Sequence, residues 1–108
     1  MSFAEAQARL QQAVFDRLGE DATWTGVDAP VRIIRREYDD DARFDVAVQV
    51  LTLRKIRVRR SEVPAPADGQ IAQVLDVNGE ADPEGRYRLS GEPKLDRKAV
   101  WHCPVVLA

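Results

Sequence analysis

The chain has little of several things that functional classes need. Its 108 residues include one cysteine, Cys103, and one histidine, His102. A single cysteine excludes an internal disulfide, and one Cys with one His falls short of the four ligands of a structural zinc site. A reducing compartment is expected. Aromatic residues make up only 6% of the chain, so a base-stacking platform has little material. Neither charge predominates: 16 Lys and Arg against 18 Asp and Glu leave a net charge of -2, with no global field to gather phosphate or anionic lipid. Nucleic-acid binding would need a local patch. No apolar run reaches the roughly 20 residues of a membrane span. The N-terminal segment has no signal-peptide core, and its first charge is Glu5, the wrong sign for a secretory start. A protein made in a cytoplasm, without membrane contact, is expected.

What is present describes one folded domain spanning 1–108. Hydrophobic residues make up 44% and charged residues 31%, and a chain of this length can bury about two thirds of its unfolded surface. Ser2 and Glu5 form a capping box that starts a helix over 2–18. Phe3, Ala6, Leu10, Ala13, Val14 and Leu18 fall in one arc, and Gly19 supplies a left-handed stop. A stripe docked on the body makes Leu10→Ala cost about 2–5 kcal/mol. From residue 21 onward the period shortens to that of strands: Thr23 and Trp24; Val31, Ile33 and Ile34; Val46 to Leu53 with Ile56 to Val63; Ile71 to Val77; Arg86 to Leu89; and Ala99 to Leu107. Alternation changes phase near Arg54, which predicts a bulge or break there.

Turns are expected at Pro64 to Gly69, Asn78-Gly79, Asp82-Pro83-Glu84-Gly85 and Gly91-Glu92-Pro93. The fold class that follows is mainly β with an N-terminal α-helix, a small barrel or sandwich of about six short strands. Residues 37–45, with Asp39, Asp40 and Asp41 together, read as a mobile acidic loop between two strands.

No phosphate-cradling glycine loop and no dinucleotide fingerprint occur, so no cofactor is expected. His102 and Cys103 are neighbours on a strand and point to opposite faces, which rules them out as base and nucleophile. Cys103 is expected in the core, and Trp24 and Trp101 as core or interface anchors. The Asp39 to Asp41 run lacks the glycine and distal Glu of a calcium loop. Lys55, Arg57 and Arg59 share one strand face while Ile56 and Val58 share the other. A solvated face, a protein interface and a phosphate-facing surface remain open for that basic stripe.

Several segments carry a resemblance. Arg17-Leu18-Gly19-Glu20, Ala22-Thr23-Trp24, Pro30-Val31, the run Ile56-Arg57-Val58-Arg59-Arg60-Ser61-Glu62-Val63-Pro64, Tyr87-Arg88-Leu89-Ser90-Gly91-Glu92-Pro93 and Val100-Trp101-His102-Cys103 resemble the small head-tail joining proteins of long-tailed phages and prophages. The resemblance implies a small barrel or sandwich with an N-terminal helix, in a ring between the DNA-filled head and the tail. Where that family commonly has Gly-Asp after its proline-rich turn, this chain has Asp68-Gly69.

The reading that follows is a non-enzymatic connector subunit. Its expected partners are other copies of itself, portal-side or adaptor-side proteins and tail-side proteins, with no sequence-specific nucleic acid. Its expected location is the host cytoplasm during assembly and then the virion. A head-to-tail ring needs two different complementary patches per subunit, so Asp39, Asp40 and Asp41 on one side and Lys55, Arg57 and Arg59 on the other are the expected interface residues. The competing reading is a small β-barrel nucleic-acid-binding module that uses the basic face.

Overall fold

A computed structural model describes residues 2–44 and 47–108, and their side chains outside 38–53. The helix α1 (Phe3–Leu18) starts as its sequence requires, with the Ser2 hydroxyl oxygen accepting the Glu5 amide at 3.1 Å. That satisfies one of the donors a first turn leaves free. Its end differs from expectation. Gly19 is extended at φ -86, not left-handed, and its amide donates to the Phe15 carbonyl at 2.8 Å. The glycine is needed for proximity: a Cβ there would lie 2.3 Å from the Phe15 carbonyl oxygen and 3.0 Å from that of Ile33. The chain turns straight from helix into strand at a point where two backbones nearly touch.

Among the described residues seven strands follow: β1 (Glu20–Trp24), β2 (Val27–Phe44), β3 (Ala47–Arg59), β4 (Ile71–Leu75), β5 (Ala81–Leu89), β6 (Lys94–Leu95) and β7 (Val100–Leu107). All pairings are antiparallel, in the order β3-β2-β1-β4-β5-β7, and β3 pairs with β7 to close the circle. The result is a six-stranded barrel, with β6 added along β7. Closure removes the exposed edges that an open sheet of this size would carry.

Side chains alternate inward and outward. Ala22, Trp24, Ile33, Ile56, Val58, Val74, Leu89 and Cys103 fill the interior. The Trp24 indole N–H donates to Gln70 Oε1 at 3.0 Å, and Cys103 is fully buried, so both residues lie in the core as expected. A second, smaller cluster lies outside the barrel, where Phe15 packs on Ile34 and Val100.

Three local readings are corrected. The bulge expected near Arg54 is absent: β2 and β3 pair without a shift from Ile33 with Val58 to Phe44 with Ala47. The change of phase marks the place where barrel pairing ends, since β3 leaves β7 at Arg54 and β2 leaves β1 at Ile33. Past that point no barrel interior dictates which face is apolar. The acidic stretch expected as a loop is strand through Phe44, and residue 45 lies outside the described residues. The turn expected at Asp82 to Gly85 is an irregularity inside β5, where the partner register shifts between Gln73 and Leu75. Asp82 holds it by accepting the Glu84 amide, and the Gln73 side chain donates to the Asp82 carbonyl. Gly85 is required because a Cβ there would come within 2.7 Å of the Val74 Cβ.

Beyond the barrel, β2 and β3 pair only with each other and form a two-stranded arm. The six residue steps from Tyr38 to Phe44 add about 20 Å at the usual rise of a strand. The molecule measures 56 × 34 × 24 Å.

Candidate assembly surfaces

The helix is fastened at its C-terminal end. Phe15 is 3% exposed and is the helix's buried residue. At 100° per residue it falls about 60° outside the apolar arc, which is why periodicity passes over it. The Arg59 guanidinium stacks over its ring at 4.9 Å and pairs with Glu62 at 3.3 Å. Arg32 holds the same end by donating to the carbonyls of Phe15 (3.1 Å) and Asp16 (2.8 Å) and to Asp21 (3.0 Å). A cation on the carbonyls of a last turn is favourable both as hydrogen bond and against the helix dipole.

The first turns stand off from the barrel. Phe3 is 83% and Leu10 65% exposed, and Leu18 is exposed as well, so the stripe is not the docking face expected of it. Between stripe and barrel lies a groove of about 710 Å³. Phe3, Leu10 and Val14 line one wall, with Ile34 and Arg57 from the barrel. The turn from Asp96 to Val100 also lines it. Asp96 Oδ1 accepts the amides of Lys98 (2.8 Å) and Val100 (3.0 Å), Ala99 takes a left-handed φ of 60°, and the Gln11 side chain donates to the Lys98 carbonyl. The other Asp96 oxygen meets His102 Nε2 at 2.9 Å. Burial disfavours the Asp96 charge, but the bonds from His102, Val100 and Lys98 outweigh it and hold the carboxyl below its ordinary range. His102 is thus part of a turn clasp, with its ring directed away from the core that holds Cys103.

The basic stripe is divided among three surroundings. Ile56 and Val58 are buried and Lys55, Arg57 and Arg59 lie on the opposite face, as the alternation predicts. Arg59 is engaged by Phe15 and Glu62, Arg57 lines the helix groove, and Lys55 borders a separate polar hollow. In that hollow Arg35 pairs with both oxygens of Glu20 at 2.7 Å and donates to the Tyr87 hydroxyl at 3.0 Å. The Glu20 bonds raise the Arg35 pKa further above its ordinary value, against the cost of burial. The stripe therefore offers no continuous track for a phosphate backbone. Asp39, Asp40 and Asp41 belong to β2 in the arm, in register with Thr52, Leu51 and Val50, and their side chains lie outside the described residues. Sequence reasoning missed the groove, whose walls are far apart in the chain; the exposed stripe of α1 was its one legible trace.

Among the described residues no group of three or more His, Cys, Asp or Glu side chains converges as a metal site would, and no helix is long and apolar enough to cross a membrane. The described residues thus form a small closed barrel that carries a two-stranded ribbon and an amphipathic helix docked by one end. The sequence matches the model of the phage head-tail attachment protein family over residues 2–105, and the chain belongs to that family. No curated protein sequence matches it. Family membership makes it a structural protein of the phage virion that works with head and tail proteins.

Proposed function

We propose that the chain is a connector subunit that assembles into a ring between the portal-bearing head and the tail, with no catalytic turnover. It is made in the host cytoplasm and ends in the virion. The family match over nearly the whole chain carries this reading. The fold supports it: a barrel of this size presents the arm, the helix groove and the barrel ends in different directions, so one subunit can meet copies of itself sideways and other proteins along the axis. Portal-side or adaptor-side proteins and tail-side proteins are the axial partners. The net charge of -2 and the divided basic face weigh against a nucleic-acid module.

The test is a lysate lacking this protein. Packaged heads and finished tails should accumulate separately, and adding the purified chain should join them. Normal infectious particles in its absence, or heads empty of DNA, would overturn the reading.

A further inference from the structure

The groove beneath α1 combines an apolar helix stripe with a cationic lining. Phe3 and Leu10 are exposed in it, and Arg57, Arg97 and Lys98 line it with Asp96 as the one acidic residue among the described residues. Asp96 is already committed to the amides of Lys98 and Val100 and to His102. The Arg57 Nε is buried with no hydrogen-bond partner among the described residues. A buried guanidinium nitrogen left unpaired is costly, and a carboxylate is the group that best relieves it. The lining therefore selects an occupant that carries carboxylates beside apolar groups.

The hairpin between β4 and β5 has that chemistry. From Asp76 to Glu84 it carries Asp76, Glu80, Asp82 and Glu84 and no Lys, Arg or His. Its tip is a built turn: Asp76 Oδ1 accepts the amides of Asn78 (2.8 Å) and Glu80 (3.0 Å), and the Asp76 amide donates to the Glu80 carbonyl at 2.7 Å. The turn holds Val77 fully exposed, with Glu80, Ala81 and Glu84 exposed after it. Among the described residues none of the four carboxylates enters an ion pair. The hairpin lies across the barrel from its own groove, because Arg57 belongs to β3, and β4 is the third strand from β3 in both directions round the closed circle. A contact between these two surfaces joins two copies of the chain.

Resting on the connector reading, we infer that the β4–β5 hairpin of one subunit docks in the α1 groove of the next, with Val77 against Phe3 and Leu10 and the carboxylates of Glu80 and Glu84 against Arg57, Arg97 and Lys98. Hairpin and groove are different surfaces on opposite sides of one barrel. The contact is therefore head-to-tail, and its repetition closes into a ring where the rotation permits. Asp76 stays with the amides of its own turn, and Arg59 stays with Phe15 and Glu62.

Site-directed cross-linking tests this. Val77→Cys at the tip and Leu10→Cys at the groove change two exposed side chains, and the buried Cys103 is left in place. Oxidation is carried out on concentrated protein and on joined particles. The expected result is a cross-linked dimer when the two single variants are mixed, and a ladder of multimers from the double variant. Absence of both, in solution and in particles, overturns the inference. So does efficient dimer formation by Leu10→Cys alone, which would pair helix with helix, or its cross-linking to a head or tail protein in place of a second copy.

A charge test accompanies it. Changing Glu80 and Glu84 to Lys should lower head-tail joining about tenfold or more, and changing the exposed Arg97 and Lys98 to Glu in the same chain should restore much of it, with unfolding curves showing that each variant folds. Full joining by the Lys variant, or a loss that the Glu changes leave uncorrected, overturns the hairpin-groove contact while leaving the connector function standing. Failure of the unmodified chain to join heads to tails defeats the connector reading itself, and the cross-links in concentrated protein then decide the contact on their own.

Discussion

Replacing Phe15 by Ala should release the helix from the barrel, whereas replacing Leu10 by Ala should barely register. Removing a buried Phe ring costs about 3–5 kcal/mol where the surroundings cannot collapse. Loss of the Arg59 stacking at 4.9 Å adds about 0.5–1 kcal/mol. The cluster of Phe15, Ile34 and Val100 is small and lies outside the barrel, so the helix can detach without opening the main core. That alternative limits the loss, and about 3 kcal/mol is expected for Phe15→Ala. Leu10 is 65% exposed, so its truncation in the isolated chain should stay within about 0.5 kcal/mol, far below the value a docked stripe would give. Urea unfolding followed by the fluorescence of Trp24 and Trp101 measures the global change. Far-UV circular dichroism reads the helix separately, because a 16-residue segment without tertiary support is marginal in water. Equal losses for the two variants, or a Phe15→Ala loss below about 1 kcal/mol, would refute docking through the C-terminal end.

Three further outcomes follow from local geometry. Gly19→Ala should destabilise by about 1–3 kcal/mol in the same urea assay, because its Cβ meets the Phe15 carbonyl oxygen at 2.3 Å and one backbone must move; a neutral result would mean the helix-to-strand junction is loose. Burial pushes the Cys103 thiol up to about 12, so it should resist alkylation at pH 8 in the native protein and react on unfolding; rapid native labelling would contradict its place inside the barrel. The Asp96 carboxyl titrates below its ordinary range when folded, so its contribution is present above the unfolded carboxylate value and fades as pH falls through the lower folded value. Acid titration of stability should accordingly be shallower for Asp96→Asn than for the parent chain, and parallel curves would remove Asp96 from that role.

Much of the architecture is local and therefore legible without tertiary information. The Ser2 cap, the β alternation of Ile56 and Val58 and the turn at Asn78-Gly79 each depend on residues close together in the chain, where sterics and hydrogen bonding act without help. The motifs that resemble head-tail joining proteins are likewise short runs, and they led to the family that the match over 2–105 shows. Tertiary structure decided what depends on distant partners. Phe15, not Leu10, became the helix anchor because Ile34, Val100, Arg32 and Arg59 converge on one end of α1. Gly19 is extended because the next residue, Glu20, already pairs with Ile33 of β2. The stretch after Glu37 is strand because β3 returns beside it, which overrides the weak strand preference of three aspartates. Barrel closure between β3 and β7 left the basic face divided, and only the folded chain brings Arg57 and Lys98 to the same hollow.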